Sequence, residues 1–314
     1  MALLYCYAFA ASGAAGAIHA DGTRHASQEL RPRTMLAAVM RRFQQVDVFG
    51  DEPYFGNPLA VVLDAESLDD AELQRFAQWT NLSETTFVVP TTNADADYRV
   101  RIFTPTGELP FAGHPTLGTC HAWLRAGGQP STSDHIVQEC GAGLVRIRQT
   151  DNGLAFAAPA LVRSGDVDPE LISRIATMLR IDEAEIVDSQ WVDNGPGWVA
   201  VLLRDAQAVL ALQPGDVDID LGVAGLYPEG SDIAVEVRSF FPVNGATVED
   251  PVTGSLNASL AGWLLATQRL RAPYTASQGT MLGRRGRVHI SQDDNGTIWV
   301  AGKTVTCIEG TVDI

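Results

Sequence analysis

Residues 101–113, RIFTPTGELPFAG, and residues 238–254, RSFFPVNGATVEDPVTG, carry the same key residues in the same order. Arg101, Phe103 and Pro105 match Arg238, Phe240 and Pro242 at an offset of 137. Glu108, Pro110 and Gly113 match Glu249, Pro251 and Gly254 at an offset of 141. The correspondence extends outward in both directions. Upstream, Ala60-Val61-Val62-Leu63 answers Ala200-Val201-Leu202-Leu203 at 140; downstream, VRIRQTDNG at 145–153 answers VHISQDDNG at 288–296 at 143. Four ordered matches at nearly one offset read as a duplicated unit, with the drift absorbed in loops.

Each half reads as α+β. In the first, Leu59–Leu63 is a short apolar strand. Asp69–Trp79 has helical spacing of Leu73, Phe76 and Ala77, with Asp69 placed to cap it. Thr85–Val89 and Tyr98–Phe103 are rich in β-branched and aromatic residues, as strands are. A turn-rich loop over 104–113 leads into a helix beginning near Pro115, since proline suits a first helical turn. That helix, Thr116–Ala126, carries few charges, and its counterpart LNASLAGWLLAT at 256–267 carries none. A helix apolar all round is a buried helix. The simplest arrangement is two similar halves, each strand-rich and wrapped around one central apolar helix. Residues 40–160, completed by 303–314, would form the N-terminal lobe and 161–302 the C-terminal lobe. Asp151-Asn152-Gly153 and Asp294-Asn295-Gly296 read as hairpin turns with positive φ at Asn and Gly.

The chain has 314 residues, 46% hydrophobic and 19% charged, which fits an ordered globular protein. Its formal charge of −16 disfavours nucleic-acid and membrane partners, yet leaves room for a small anionic substrate held by local donors. Cys6, Cys120, Cys140 and Cys307 form no CxxC pair, and their spacing suggests reduced thiols in a cytoplasmic protein. Residues 1–39 are Ala/Gly-rich and lack a basic stretch before Leu3, so they read as a flexible extension ahead of a body starting near Met35 or Met40. A cleaved export signal is the alternative.

In both halves the E-x-P-x-x-G loop runs into the buried helix. A helix N-terminus presents unpaired N–H groups and partial positive charge, a seat for a carboxylate. If the halves face one another about a twofold axis, both helix starts address one cleft. His114, Asp250 and Ser255 are then candidate site groups. Each has a plainer reading: His114 as a structural group before Pro115, Asp250 and Ser255 as helix caps. Glu84, in NLSETTFVV, enters an apolar strand; it is either a carboxyl of raised pKa or a solvated strand end. Phosphate-loop, dinucleotide, zinc-protease and serine-elbow motifs are missing, and His114 and His121 are poorly spaced for a metal.

RRFQQVDVFGDEPYFGNPLAVVL, NLSETTFV, FAGHPTLGT, EDPVTGSLNASLAGWL and SQGTMLGRRG, in this order, resemble the signatures of the PhzF-like phenazine-biosynthesis family over about residues 40–314. The resemblance implies a diaminopimelate-epimerase-like α+β fold: two pseudo-symmetric lobes, each a barrel-like, mostly antiparallel sheet around a central apolar helix, with the site between them. It implies a cofactor- and metal-independent isomerase, a homodimer, acting on a small carboxylate-bearing substrate. The family's type member isomerises trans-2,3-dihydro-3-hydroxyanthranilate. By motif, Glu84 corresponds to the catalytic glutamate, with His114 and Asp250 as catalytic partners. Gly113, Gly254 and Ser255 correspond to substrate-binding positions. Related two-cysteine epimerases hold a thiol at each helix start; here those places carry His114 and Asp250 or Ser255, and Cys120 lies deeper, where packing is expected. Two alternatives stay open: a cofactor-independent amino- or hydroxy-acid racemase or epimerase, and a non-catalytic ligand-binding relative.

Overall fold

The computed structural model describes residues 39–243 and 245–314. The reading of residues 1–39 as an extension, and Cys6 with it, falls almost wholly outside them.

The repeated segments build repeated elements. The first half runs β1 (Met40–Val48), β2 (Asn57–Val62), α1 (Asp70–Thr80), β3 (Thr85–Val89), β4 (Tyr98–Phe103), β5 (Glu108–Leu109), α2 (Gly113–Arg125), β6 (Ile136–Cys140), β7 (Gly143–Thr150) and β8 (Gly153–Ala157). A short β9 (Arg163–Gly165) and α3 (Pro169–Leu179) lead to the second half. It runs β10 (Ile186–Asp193), β11 (Val199–Leu203), α4 (Ala206–Ala211), β12 (Leu221–Leu226), β13 (Val235–Val243), β14 (Ala246–Glu249), α5 (Gly254–Ala266), β15 (Tyr274–Gln278), β16 (Gly286–Gln292) and β17 (Ile298–Gly302). A final strand, β18 (Thr304–Asp313), follows.

Strand pairing repeats as well. In the first half β2 lies parallel to β3 and β4 parallel to β6; in the second, β11 lies parallel to β12 and β13 parallel to β15. The other pairings are antiparallel, and β8 joins β17 so that one continuous sheet links both halves. The halves also exchange strands. β9, which follows the first half, pairs with β10 of the second; β18, which follows the second, pairs with β1 of the first.

Residue chemistry accounts for these elements locally. Asp69 accepts from the Glu72 backbone while Glu72 reaches back to the Asp69 N–H, a capping box that starts α1 where expected. α2 lies against β1, β2, β3, β8 and β18, and α5 against β10, β16 and β17. Leu117 on α2 and Leu256, Leu260 and Leu264 on α5 are at most 1% exposed. Full burial of such side chains contributes roughly 1.5–3 kcal/mol each, which is why an uncharged helix belongs at the centre of each half. The α+β architecture around two central apolar helices is the expected one.

Arg101 makes a two-toothed ion pair with Glu108, and Arg238 makes the same pair with Glu249. Each guanidinium also lies over the phenyl ring two residues on, Phe103 and Phe240, at 5.1 and 4.9 Å. The glutamates of the E-x-P-x-x-G loops thus tie the loop to the sheet. Two local expectations are corrected. The buried helices begin at Gly113 and Gly254, each two residues earlier than the proline and leucine suggested. In the turns, only Gly153 and Gly296 have positive φ, whereas Asn152 and Asn295 do not. The turns therefore rely on a left-handed glycine after them rather than on an Asn-Gly centre.

Candidate active site

Because α2 and α5 begin at glycines, their first turns can meet. A methyl on Gly254 would stand 3.1 Å from the His114 backbone nitrogen, and one on Gly113 would stand 2.6 Å from Cζ of Phe156. Such separations exclude a side chain at either position without displacement. Neither helix has a side-chain cap: the N-cap residues are Ala112 and Thr253, and neither side chain bonds the first turn. The caps first entertained for Asp250 and Ser255 are thus not their role. Two sets of backbone N–H groups are left without side-chain acceptors where the halves meet.

Beside this junction lies a cleft of about 1270 Å³. Glu84, Asp250 and Ser255 line it; His114, Gly113 and Gly254 do not and lie behind its wall. Glu84 precedes β3, whose pairing to β2 and β4 fixes its backbone. One of its oxygens, Oε2, is buried without a hydrogen-bond partner and stands 3.6 Å from Nδ1 of His114. Burial, and then the charge of Asp250, pushes the Glu84 carboxyl up to about 8. Burial pushes His114 down to about 3, against a smaller opposing effect of the Pro58 carbonyl. Both groups are neutral near pH 7, so the contact is not an ion pair.

Asp250 is held differently. Asn57 Nδ2 donates to it at 3.1 Å and Thr253 Oγ1 at 2.6 Å. Burial raises its pKa, and these two hydrogen bonds work in the other direction. Gln278 buttresses the turn by donating to the Asp250 carbonyl and the Thr253 hydroxyl while accepting from the Thr253 N–H. Ser255 accepts from the Trp198 indole at 3.1 Å, and its carbonyl accepts from Asn194 at 3.0 Å.

The structure thus brings Glu84, His114 and Asp250 together, with supports that the sequence reading did not name. Asn57 and Pro58 are adjacent on β2, yet one holds Asp250 and the other touches His114. Asn57 and Gln278 both sit inside stretches that resemble family signatures, which was the only signal for them. Nothing in the sequence pointed to Asn194 or Trp198. Among the described residues no three His, Cys, Asp or Glu side chains converge as a metal site would need, and no helix is long and apolar enough to cross a membrane. Cys120, deep in α2, is fully buried and packed in the core, with its thiol pushed up to about 12 by that burial. A carboxyl of high pKa, an imidazole held neutral and paired helix starts suit proton transfer on a small anion.

The family model described as phenazine biosynthesis-like protein matches residues 46–310. A Schizosaccharomyces pombe protein, antisense-enhancing sequence 1, is 36% identical over 85% of this chain and 97% of its own length. The trans-2,3-dihydro-3-hydroxyanthranilate isomerase of Pseudomonas aeruginosa is 33% identical over 86% of this chain and 95% of its own. A Bacillus anthracis PhzF-family crystal structure superposes with a TM-score of 0.75 at 23% identity, covering 88% of this chain and all of that one.

Proposed function

Because the chain belongs to the phenazine biosynthesis-like family of isomerases, we propose that it moves a proton, and with it a double bond, within a small carboxylate-bearing substrate. Glu84 is the general acid and base, and no cofactor takes part. The observation that carries this reading is the Glu84 carboxyl itself: it lines the cleft, has an unpaired buried oxygen, and burial pushes its pKa up to about 8. Such a group can take a proton from carbon and hand it back near neutral pH.

In the proposed sequence the substrate carboxylate lies at the starts of α2 and α5, where N–H groups and helix dipoles stabilise anionic charge. Substrate charge that develops as the proton leaves is stabilised by the same donors. Ionised Glu84 abstracts the proton and, once protonated, returns it to another carbon of the same system. His114, held neutral at 3.6 Å, keeps a polar neighbour beside the carboxyl without locking it in an ion pair. Asp250 supplies negative charge that helps keep Glu84 basic, while Asn57 and Thr253 hold it in place.

The alternative of a two-base racemase would need Asp250 as a free second base. Its engagement by two donors argues for a fixed electrostatic role instead. The test uses trans-2,3-dihydro-3-hydroxyanthranilate, the substrate of the Pseudomonas relative, in D₂O. Wild-type protein should form the isomerised product, and Glu84→Gln should lose turnover by at least about a hundredfold, within the usual range for a general base. Wild-type turnover by Glu84→Gln would rule out Glu84 as the proton carrier.

A further inference from the structure

Asp250 faces the cleft, but the groups packed behind it decide which way its hydrogen bonds run. These are Ser239, Thr253 and Gln278, and Gln278 is fully buried. Backbone groups fix the orientation of the amides. The Thr253 N–H can only donate, so the Gln278 atom 3.0 Å from it is Oε1. The Asp250 carbonyl can only accept, so the Gln278 atom 3.2 Å from it is Nε2. The Val252 carbonyl likewise faces Asn57 Nδ2, the same atom that meets Asp250 Oδ1.

Gln278 Nε2 therefore donates toward the hydroxyls of Ser239, at 3.1 Å, and Thr253, at 2.9 Å, which stand 2.6 Å from one another. With Asp250 ionised, Thr253 gives its single hydroxyl hydrogen to Oδ2 at 2.6 Å, and Ser239 donates to Thr253. Every hydrogen from Gln278 through Ser239 and Thr253 then points at the carboxylate, and bonds aligned in this way polarise one another. The reverse arrangement fails. An Asp250 protonated at Oδ2 would donate to Thr253, and Thr253 to Ser239; the Ser239 hydrogen would then face only the Gln278 NH₂, another donor. A proton on Oδ1 meets the Asn57 NH₂, again a donor. Among the described residues the Ser239 hydroxyl and Asp250 Oδ1 have no other hydrogen-bond partner. A buried donor left without an acceptor is costly. Burial alone favours the protonated acid, and this network opposes it.

We propose that Gln278 is a positioning residue for the reaction: acting through Ser239 and Thr253, its amide hydrogens hold Asp250 as an oriented anion beside Glu84. The proposal rests on the proton-transfer reading only for what that charge does, which is to keep Glu84 basic. The ionisable groups around the Glu84–Asp250 pair are His114 on α2 and Glu249 on β14, and Glu249 is tied to Arg238.

The test is infrared spectroscopy at pH 7 of the Glu84→Gln protein, in which the Glu84 carboxyl no longer contributes. The C=O stretch of a protonated Asp250 is assigned by its loss in Asp250→Asn. With Gln278 in place no such band should appear. Gln278→Glu, made in the same protein, is nearly isosteric but puts an acceptor where the amide donated. The chain of hydroxyls can then reverse, and the band should appear. Gln278→Leu breaks the same buttress without supplying an acceptor and should show no band, which separates polarity from packing. In protein that keeps Glu84, the limb of kcat/KM for trans-2,3-dihydro-3-hydroxyanthranilate should fall by about one pH unit in Gln278→Glu, because a neutral Asp250 no longer raises Glu84. It should stay in place in Gln278→Leu. The infrared result does not depend on turnover, so a wrong role for Glu84 and a wrong role for Gln278 are separately visible. A protonated Asp250 with Gln278 in place overturns the proposal whether or not the variants fold. So does a missing band in Gln278→Glu, or an equal band in Gln278→Leu.

Discussion

Replacing Glu84 by Gln should make the protein inactive and, at alkaline pH, more stable relative to wild type. The Glu84 carboxyl shifts from an ordinary value of 4.5 to about 8 in the folded state, chiefly through burial. Its side chain is only 16% exposed, so solvent screens little of that shift. A carboxyl with a raised folded pKa stays protonated in the native state while the unfolded chain has already ionised. The native state then binds more protons, and stability falls as pH rises across the window from 4.5 to about 8. At 1.36 kcal/mol per unit, wild type should lose about 4 kcal/mol more than Glu84→Gln between pH 5 and pH 9. The amide's own burial cost is independent of pH and cancels in the slope. Urea unfolding of both proteins at pH 5, 7 and 9 measures the difference directly. In parallel, kcat/KM of wild type should rise with pH on a limb centred near 8, as the carboxylate form accumulates. A stability difference that stays flat from pH 5 to pH 9 would refute the idea that Glu84 is buried and neutral at neutral pH.

Four further substitutions separate support from chemistry. Asn57→Ala removes the Asn57 donor from Asp250 and leaves the Val252 carbonyl short of one; it should cost about 1–3 kcal/mol and shift the pH profile of kcat/KM, which a purely structural loss would not move. Gly113→Ala drives a methyl into the ring of Phe156, so unfolding midpoints should report a loss of about 1–3 kcal/mol. Arg238→Gln and Arg101→Gln break equivalent ion pairs at different depths, 5% against 21% exposure of the arginine side chain. The first, which also strands the Val209 and Leu212 carbonyls, should cost about 3–5 kcal/mol and the second about 1 kcal/mol or less, measured by denaturant melts.

The duplication was legible because it is a repeated signal: the Arg-Phe-Pro and E-x-P-x-x-G spacing survives in both halves, and it encodes the same ion pair and the same entry into a buried helix. Helix α1 was legible because its cap chemistry is local. Helix starts were misjudged because Gly113 and Gly254 carry no side-chain signal; they are helical in order to let two backbones touch. Glu84 was ambiguous by composition, since whether a strand-end carboxyl meets water depends on what the other half places over it. Asn57 reaches Asp250 across 193 residues of sequence, and Asn194 reaches the Ser255 carbonyl across 61; no local pattern announces such pairs. Family resemblance pointed to Glu84, but neither resemblance nor periodicity pointed to the loop whose Asn194 and Trp198 hold Ser255.

The exchanged strands bear on how the chain reaches this state. β1 has β2 on one side from early in synthesis, but its other edge stays open until β18 has been made, for Met40 lies opposite Asp313. Pairing between such distant segments is slow to form, and an open edge invites association with other chains meanwhile. A ribosome-bound nascent chain truncated before Thr304 should therefore engage chaperones that a full-length chain escapes. For the same reason, tethering Met40 to Asp313 and opening the polypeptide elsewhere should speed refolding by making the slowest contact a neighbourly one.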